Sequence, residues 1–304
     1  MTESEKAIKA LFSGYNKLML SRKTLDEINV FPVADGDTGS NMTRTMKAGA
    51  EAVKYDRDSS VPEILSKCAK AMLRSARGNS GVILSVLFKG FSDYIKIIGE
   101  LSSEHLCGAF DSAIGQAVAS LSNPVYEGTM LSLVVAARDE ASKSTGESFV
   151  FAWEKISSAC AKALEETKDA MPELKKDKIP DSGALGFYYI ILAVKEVLSG
   201  KADDSLIASN VTFRKLSAVH EDDYAYCTEF LIMKENSFPV SILENNLEKI
   251  GDSVAIVEDD GAVKVHLHTN FPNQALGFAM RYGFLTDIKI DNMELMKKYK
   301  VTTD

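Results

Sequence analysis

Over the first two hundred residues, apolar side chains return every three or four positions, the spacing that lines one face of an α-helix. Leu65, Cys68, Ala69 and Met72 make one such stripe, Val82, Val86 and Phe91 a second, and Ile190, Val194 and Val197 a third. The pattern predicts eight helices, near 3–22, 38–55, 60–75, 79–98, 104–121, 128–145, 148–169 and 182–198. Proline or glycine marks the breaks, at Pro32, Pro62, Gly78, Pro124, Gly146, Pro180 and Gly200. No strand-like alternation stands out in this half.

The period then changes. Beyond a polar linker at 201–220, Tyr224–Met233, Ser253–Val257, Ala262–His268 and Phe284–Ile290 read as strands. Pro239–Ile250 and Asn273–Tyr282 read as helices, and Asp259-Asp260-Gly261 as a hairpin turn. The order is βαββαβ, the split arrangement of ferredoxin-like domains. The expected fold class is therefore multidomain, α followed by α+β: a helical domain at 1–200, the linker 201–220, and a small α+β domain at 221–304. Exposed strand edges in the second domain would suit a homodimer.

Composition narrows the function classes. The chain has 304 residues, 45% hydrophobic and 26% charged, enough to bury a sizeable core. A net charge of −8 argues against a broad nucleic-acid footprint, so an anionic substrate would need local cations or a metal. No run approaches the roughly 20 apolar residues that span a bilayer. The acidic N-terminus lacks a signal-peptide core, and Cys68, Cys107, Cys160 and Cys227 form no paired motif, so reduced thiols and a cytoplasmic location are expected.

The chemistry concentrates in short polar loops that open helices. In Asn29-Val30-Phe31-Pro32-Val33-Ala34-Asp35-Gly36-Asp37-Thr38-Gly39-Ser40-Asn41-Met42, two carboxylates flank a glycine where a helix should start. Such a pair suits Mg²⁺, a hard cation that takes oxygen ligands and phosphate, and Thr38 and Asn41 can cap the helix. Taken alone, the tripeptide reads equally well as a surface turn. Arg77-Gly78-Asn79-Ser80-Gly81, Glu127-Gly128-Thr129-Met130 and Asp181-Ser182-Gly183-Ala184 are three more small, glycine-bearing loops before apolar helices. Helix starts offer free N–H groups to anions, and glycine lets a phosphate come close. Each loop alone reads as a capped turn, whereas four on one helical domain favour a nucleotide site. Neither G-x-x-x-x-G-K-[ST] nor a strand followed by G-x-G-x-x-G occurs.

These motifs, in this order, resemble the nucleotide-binding domain of dihydroxyacetone kinases, and most nearly the ATP-binding component of bacterial fatty acid kinase. Tyr226-Cys227-Thr228-Glu229-Phe230, Val263-Lys264-Val265-His266-Leu267-His268-Thr269-Asn270 and Ile288-Lys289-Ile290-Asp291-Asn292-Met293 resemble that kinase's middle domain. The resemblance implies an up-and-down barrel of eight helices that binds ATP with two Mg²⁺ ions at one end. It makes Asp35 and Asp37 the catalytic metal ligands, with Asn29 where related glycerone kinases carry a further acidic ligand. It places Thr38, Gly39, Asn41, Asn79, Ser80, Gly81 and Thr129 along the phosphates, and Met130, Asp181, Ser182 and Gly183 beside the nucleotide. Ala34 departs from the family's usual proline. The family's third domain, which is thought to engage the acyl-carrying partner protein, has no counterpart here, so the chain is expected to be a truncated or short form.

The implied reaction passes the γ-phosphoryl group of ATP to a fatty acid held by a separate carrier protein. A carboxylate acceptor is already ionised at neutral pH and needs no general base, which agrees with His105, the one histidine before residue 200, lying outside every motif. The alternatives are a glycerone-type kinase component or a nucleotide-binding scaffold without transfer activity.

In the second domain His266 and His268, two apart on a strand, share a face, and Cys227 on another strand can join them. Zinc takes such a set, with Glu229 the first fourth ligand to test. Spacing alone favours two solvent-facing histidines and a core cysteine; the family resemblance turns the balance to zinc. Lys175-Lys176-Asp177-Lys178 reads as a solvated loop, and Cys68, Cys107, Cys160, Trp153 and Tyr188-Tyr189 as packing residues.

Overall fold

A computed structural model describes residues 1–30, 36–122, 124, 127–201, 224–235, 237–259 and 261–295. The chain divides into two units, Met1–Ala117 with Val125–Ala218, and Val118–Pro124 with Val219–Asp304. Most of the expected linker, residues 202–220, lies outside the described residues.

The first unit is helical. Its elements are α1 (Glu3–Glu27), α2 (Thr38–Ala52), α3 (Val61–Ser75), α4 (Gly78–Ile98), α5 (Leu106–Ser120), α6 (Met130–Lys143), α7 (Phe149–Ala170), α8 (Pro172–Asp177) and α9 (Ser182–Leu198). Local chemistry sets several boundaries. Thr2 and Glu5 form a capping box at the start of α1, and Ser60 and Glu63 another at α3, where Pro62 takes the first turn. Gly99, at φ +88°, closes α4 in the left-handed region.

Two elements differ from the sequence pattern. α1 runs to Glu27 because Ser21 and Leu25 continue its buried face. The 175–178 segment, expected as a loop, contributes to the single-turn helix α8: Pro172 sits in its first turn and Lys178, at φ +53°, terminates it. Six residues are too few for a periodic signal.

Contacts link α4, α3, α2, α1, α9, α7 and α6 as successive neighbours. Leu18, Leu25, Met42, Met46, Met72 and Leu84 are fully buried among them. The first half of α1, the second halves of α4 and α9 and the start of α7 line an apolar cavity of about 560 Å³, with Leu11, Phe91, Trp153 and Ile190 in its wall. Trp153 donates its indole N–H to the Ile191 carbonyl at 3.1 Å, which satisfies that buried donor.

The second unit contains β1 (Tyr226–Lys234), α10 (Val240–Leu247), β2 (Gly251–Asp259), β3 (Ala262–Thr269), α11 (Pro272–Ala279) and β4 (Gly283–Asn292). The sheet order is β2-β3-β1-β4, every pair antiparallel. Asp259 pairs with Ala262 at the end of the β2–β3 ladder, and Gly261 just before β3 has φ +72°. One sheet face carries Phe230, Ile232, Val263, Val265 and Leu267 into a core completed by Leu243 and Leu247 of α10 and Ala275 and Ala279 of α11. Strand alternation sends Cys227, Glu229, Lys264, His266 and His268 to the other face.

Close approach of α2 to α1 depends on Gly39, where a Cβ would collide with the Arg22 carbonyl oxygen and stand 2.8 Å from the Leu25 Cβ. Gly39→Ala must push the start of α2 off α1 and is expected to destabilise the protein by about 1–3 kcal/mol. Thermal unfolding of the full chain checks this; an unchanged midpoint would refute the close approach.

Candidate functional site

The start of α2 is organised from outside the helix. Thr38 and Asn41 do not cap it: Asp37 occupies the cap position and makes no capping bond through its side chain. Instead Asn29, just past the end of α1 and only 6% exposed, turns its carboxamide oxygen onto this turn. That oxygen accepts from the Thr38 N–H at 3.1 Å, the Asp37 N–H at 3.3 Å and the Thr38 hydroxyl at 2.8 Å. With its proton spent on Asn29, the Thr38 hydroxyl accepts from Ser80 at 3.0 Å, which ties the start of α4 to the start of α2.

Glycines bring the two starts together. Gly78 has φ +58°, and a Cβ there would collide with the Asn41 side-chain nitrogen. A Cβ on Gly81 would lie 2.6 Å from the Thr45 hydroxyl. Asn41 therefore lies directly over the Gly78 backbone, with Asn79 and Ser80 half-buried in the same first turn of α4.

The start of α9 joins from another side. Asp181 caps it by accepting from the Ala184 N–H at 2.7 Å, and its own N–H donates to the Thr167 hydroxyl at 3.1 Å. The Ser182 hydroxyl donates to the Leu25 carbonyl at 2.6 Å, linking α9 to the last turn of α1. Met130 reaches α9 from the start of α6, its terminal methyl 3.4 Å from where a Gly183 Cβ would stand. Thr129 caps α6 through the Leu131 N–H at 3.3 Å. The starts of α2, α4, α6 and α9 thus meet at the C-terminal end of α1, away from the apolar cavity. Of the residues singled out in the sequence, Asn29, Asp37, Thr38, Gly39, Asn41, Asn79, Ser80, Gly81, Thr129, Met130, Asp181, Ser182 and Gly183 belong to these turns. Asp35 lies outside the described residues.

Asp26 is a member that no motif marked. Its carboxylate accepts from the Ser40 N–H at 2.9 Å and from the Ser40 hydroxyl at 2.8 Å. Fourteen residues separate the partners, so no local spacing announces the pair. Burial pushes the Asp26 carboxyl up to about 6, with the nearby Asp37 charge adding to the shift. Burial also pushes the Asp181 carboxyl up to about 7, against the bonds from Ala184 and Gly183.

The second cluster lies on the sheet. Register sets Cys227 opposite His268 and Glu229 opposite His266. One ligand atom from each of Cys227, His266 and His268 lies within 4.8 Å of the other two. The Cys227 sulfur is 3.8 Å from His266 Nδ1, and the two imidazole rings stand edge to face at 5.2 Å. Both histidines are buried, so the solvent-facing alternative does not describe them. Glu229 falls outside the three-residue set and contacts His266 Nδ1 through Oε1 at 3.2 Å. His266 Nε2 is buried and makes no hydrogen bond among the described residues. A sulfur and two imidazoles, one of them with an unpartnered ring nitrogen, are a donor set that fits zinc.

A raised native carboxyl pKa means that the folded state holds its proton longer than the unfolded chain does. Ionising Asp26 therefore costs stability progressively as pH rises from about 4 to about 6, on the order of 3 kcal/mol in total. Asp26→Asn should flatten the decline in stability between pH 4 and pH 8 relative to wild type. Denaturant unfolding of both proteins at a series of pH values measures the difference, and parallel profiles would contradict the burial effect.

Residues 32–196 match the DAK2 domain, and residues 223–299 match the FakA-like middle domain of fatty acid kinase. An uncharacterized protein of Staphylococcus saprophyticus is 30% identical over 310 residues, covering 95% of this chain and 55% of its own length. One from Staphylococcus haemolyticus is 30% identical over 313 residues, with 96% and 56% covered. The chain thus spans about half the length of these curated relatives. Among solved structures, the dihydroxyacetone kinase from C. freundii, in complex with AMP-PNP and Mg²⁺, aligns at a TM-score of 0.48 and 16% identity over 64% of this chain and 34% of that one. The DAK2 match covers more than half of the chain, which therefore belongs to the DAK2-domain family and carries a FakA-like middle domain behind it.

Proposed function

We propose that the chain is a kinase component that binds Mg-ATP at the junction of α2, α4, α6 and α9 and passes the γ-phosphoryl group to the carboxylate of a fatty acid held by a separate carrier protein. The observation that carries this reading is the meeting of four helix starts, each with a small polar loop, beside a half-buried Asp37. Free N–H groups and dipoles at helix starts favour phosphate oxygens, and Gly39, Gly78 and Gly81 remove side chains that would hold a phosphate away.

Within this reading Asp37, together with Asp35, holds two Mg²⁺ ions. Thr38, Asn41, Asn79, Ser80 and Thr129 donate to the phosphates, while Met130 and the Asp181-Ser182-Gly183 turn border the nucleotide. Bound Mg²⁺ would supply charge neutralisation on the β- and γ-phosphate oxygens. Asn29 serves best as the organiser of the α2 start, because its carboxamide oxygen already accepts three protein hydrogen bonds. A cation at that oxygen would require some of those donors to let go.

The fatty acid reading of the acceptor rests on the middle-domain match. His105, the one histidine before residue 200, sits 3.2 Å from Glu100. Both Asp26 oxygens are held by Ser40.

Calorimetry with ATP and Mg²⁺ tests the nucleotide site. Asp37→Ala should weaken binding by about 100-fold or more, beyond the ~10–100-fold that supporting residues around a metal contribute. Equal affinity in wild type and variant would end this reading. Acyl phosphate formation with an acyl-loaded carrier separates the fatty acid kinase from a glycerone-type component or a scaffold.

We also propose that Cys227, His266 and His268 bind zinc in the second unit. Metal analysis of the purified chain should find about one zinc per molecule, lost in Cys227→Ser. Wild-type protein without zinc would dismiss this part of the reading and leave the nucleotide site untouched.

A further inference from the structure

Two groups beside His266 stand outside the three converging ligands: the Glu229 carboxylate and the Lys264 ammonium. Neither side chain is exposed by more than 1%. Lys264 Nζ stands 3.7 Å from Glu229 Oε2, while Glu229 Oε1 stands 3.2 Å from His266 Nδ1. The sheet builds this row. Glu229 of β1 is directly opposite His266 of β3, and Lys264 is two residues back along β3 on the same face.

We infer that Glu229 is a positioning residue that fixes His266 as the tautomer protonated on Nδ1, leaving the Nε2 electron pair as the one that meets a metal ion; this rests on the zinc reading above. The chemistry runs in one direction. A carboxylate has electron pairs to offer and no proton, so the hydrogen bond to Nδ1 requires the proton to be on the imidazole. A neutral imidazole carries a single N–H, and placing it on Nδ1 makes Nε2 an acceptor. That nitrogen is buried and receives no hydrogen bond among the described residues. A buried lone pair in that state is stabilised by a Lewis acid.

Lys264 fits the same scheme. A carboxylate taken out of water needs a countercharge, and the ammonium on the far side of Glu229 supplies it without competing for Oε1. Glu229 is not one of the three residues whose ligand atoms converge within 4.8 Å, and it contacts His266, so the role assigned to it runs through His266. Carboxylates commonly orient metal-binding histidines in this way. His268 has a weaker counterpart in Asp252, whose carboxylate oxygen is 3.8 Å from His268 Nδ1.

A competing arrangement turns Nδ1 to the metal beside the Cys227 sulfur, 3.8 Å away, and puts the proton on Nε2. Long-range ¹H–¹⁵N correlation on the full chain, ¹⁵N-labelled at histidine and stripped of zinc, distinguishes the two, with His266→Asn used for assignment. An Nδ1–H signal is expected, and an Nε2–H signal overturns the proposal. The measurement needs no folded Glu229 variant and no bound zinc, so it decides the point even if the wild-type chain proves to hold no metal.

Zinc affinity by chelator competition gives the second readout. Glu229→Gln, similar in size but able to donate through its amide, should bind zinc about 10–100-fold more weakly. Wild-type zinc binding with unchanged affinity in Glu229→Gln overturns the positioning role. Wild-type protein that takes up no zinc overturns the metal reading instead.

Discussion

The polar end of the helical unit depends on one acceptor, the carboxamide oxygen of Asn29. A helix start leaves backbone N–H groups without partners, and burying such groups unsatisfied is costly. α2 meets this cost without a capping side chain of its own, because Asn29 supplies the acceptor from beyond the end of α1. The same oxygen orients the Thr38 hydroxyl, and through it Ser80 on α4. A single buried amide therefore fixes the register of three helices. A carboxylate in that position could make the same contacts, but it would bring a negative charge next to Asp37.

The two units meet one physical problem in different ways. In the helical unit, polar groups are buried at helix starts, where dipoles and backbone donors are the available compensation. Asp181 is an N-cap, and Asp26 is held by a backbone N–H together with a hydroxyl. Desolvation nonetheless dominates in both, and both carboxyls are pushed upward. In the sheet unit there are no helix starts on the polar face among the described residues, and compensation comes from cross-strand pairing of charges. Glu229 of β1 lies between Lys264 and His266 of β3. Alternation along the strands makes this possible: one face takes the hydrocarbon core and the other gathers the charged and sulfur side chains in register.

The sequence was most legible where periodicity is long. The stripe of Leu65, Cys68, Ala69 and Met72 marks α3, and the Asp-Gly turn with alternating neighbours marks the β2–β3 hairpin. The four glycine-bearing loops were visible because each opens a helix with a run of small residues. What stayed hidden depends on pairs far apart in the chain. Asp26 and Ser40 are fourteen residues apart, and Ser182 meets the carbonyl of Leu25 across 157 positions. Local rules place the cap of α2 at Thr38 and Asn41 because they look within the helix, whereas the acceptor, Asn29, lies beyond the end of α1. Glu229 could be placed on the same strand face as Cys227 from alternation alone. That it turns to His266, outside the converging three-atom set, depends on the β1–β3 register, which no local pattern encodes.

The raised carboxyls bear on which acceptor the helical unit could serve. A carboxyl pushed to about 6 has a proton affinity suited to a general base, and Asp26 is the group with that value. Affinity is not access, however. Both Asp26 oxygens are engaged by Ser40, at 2.9 and 2.8 Å, and drawing either toward a substrate hydroxyl would release the first turn of α2. Asp181 is similarly committed to its helix and buried. These carboxyls hold the loops in place and are poorly disposed to move protons. Within the kinase reading proposed above, that arrangement suits an acceptor that arrives already ionised, since phosphoryl transfer to a carboxylate asks for position and charge neutralisation and for no proton removal.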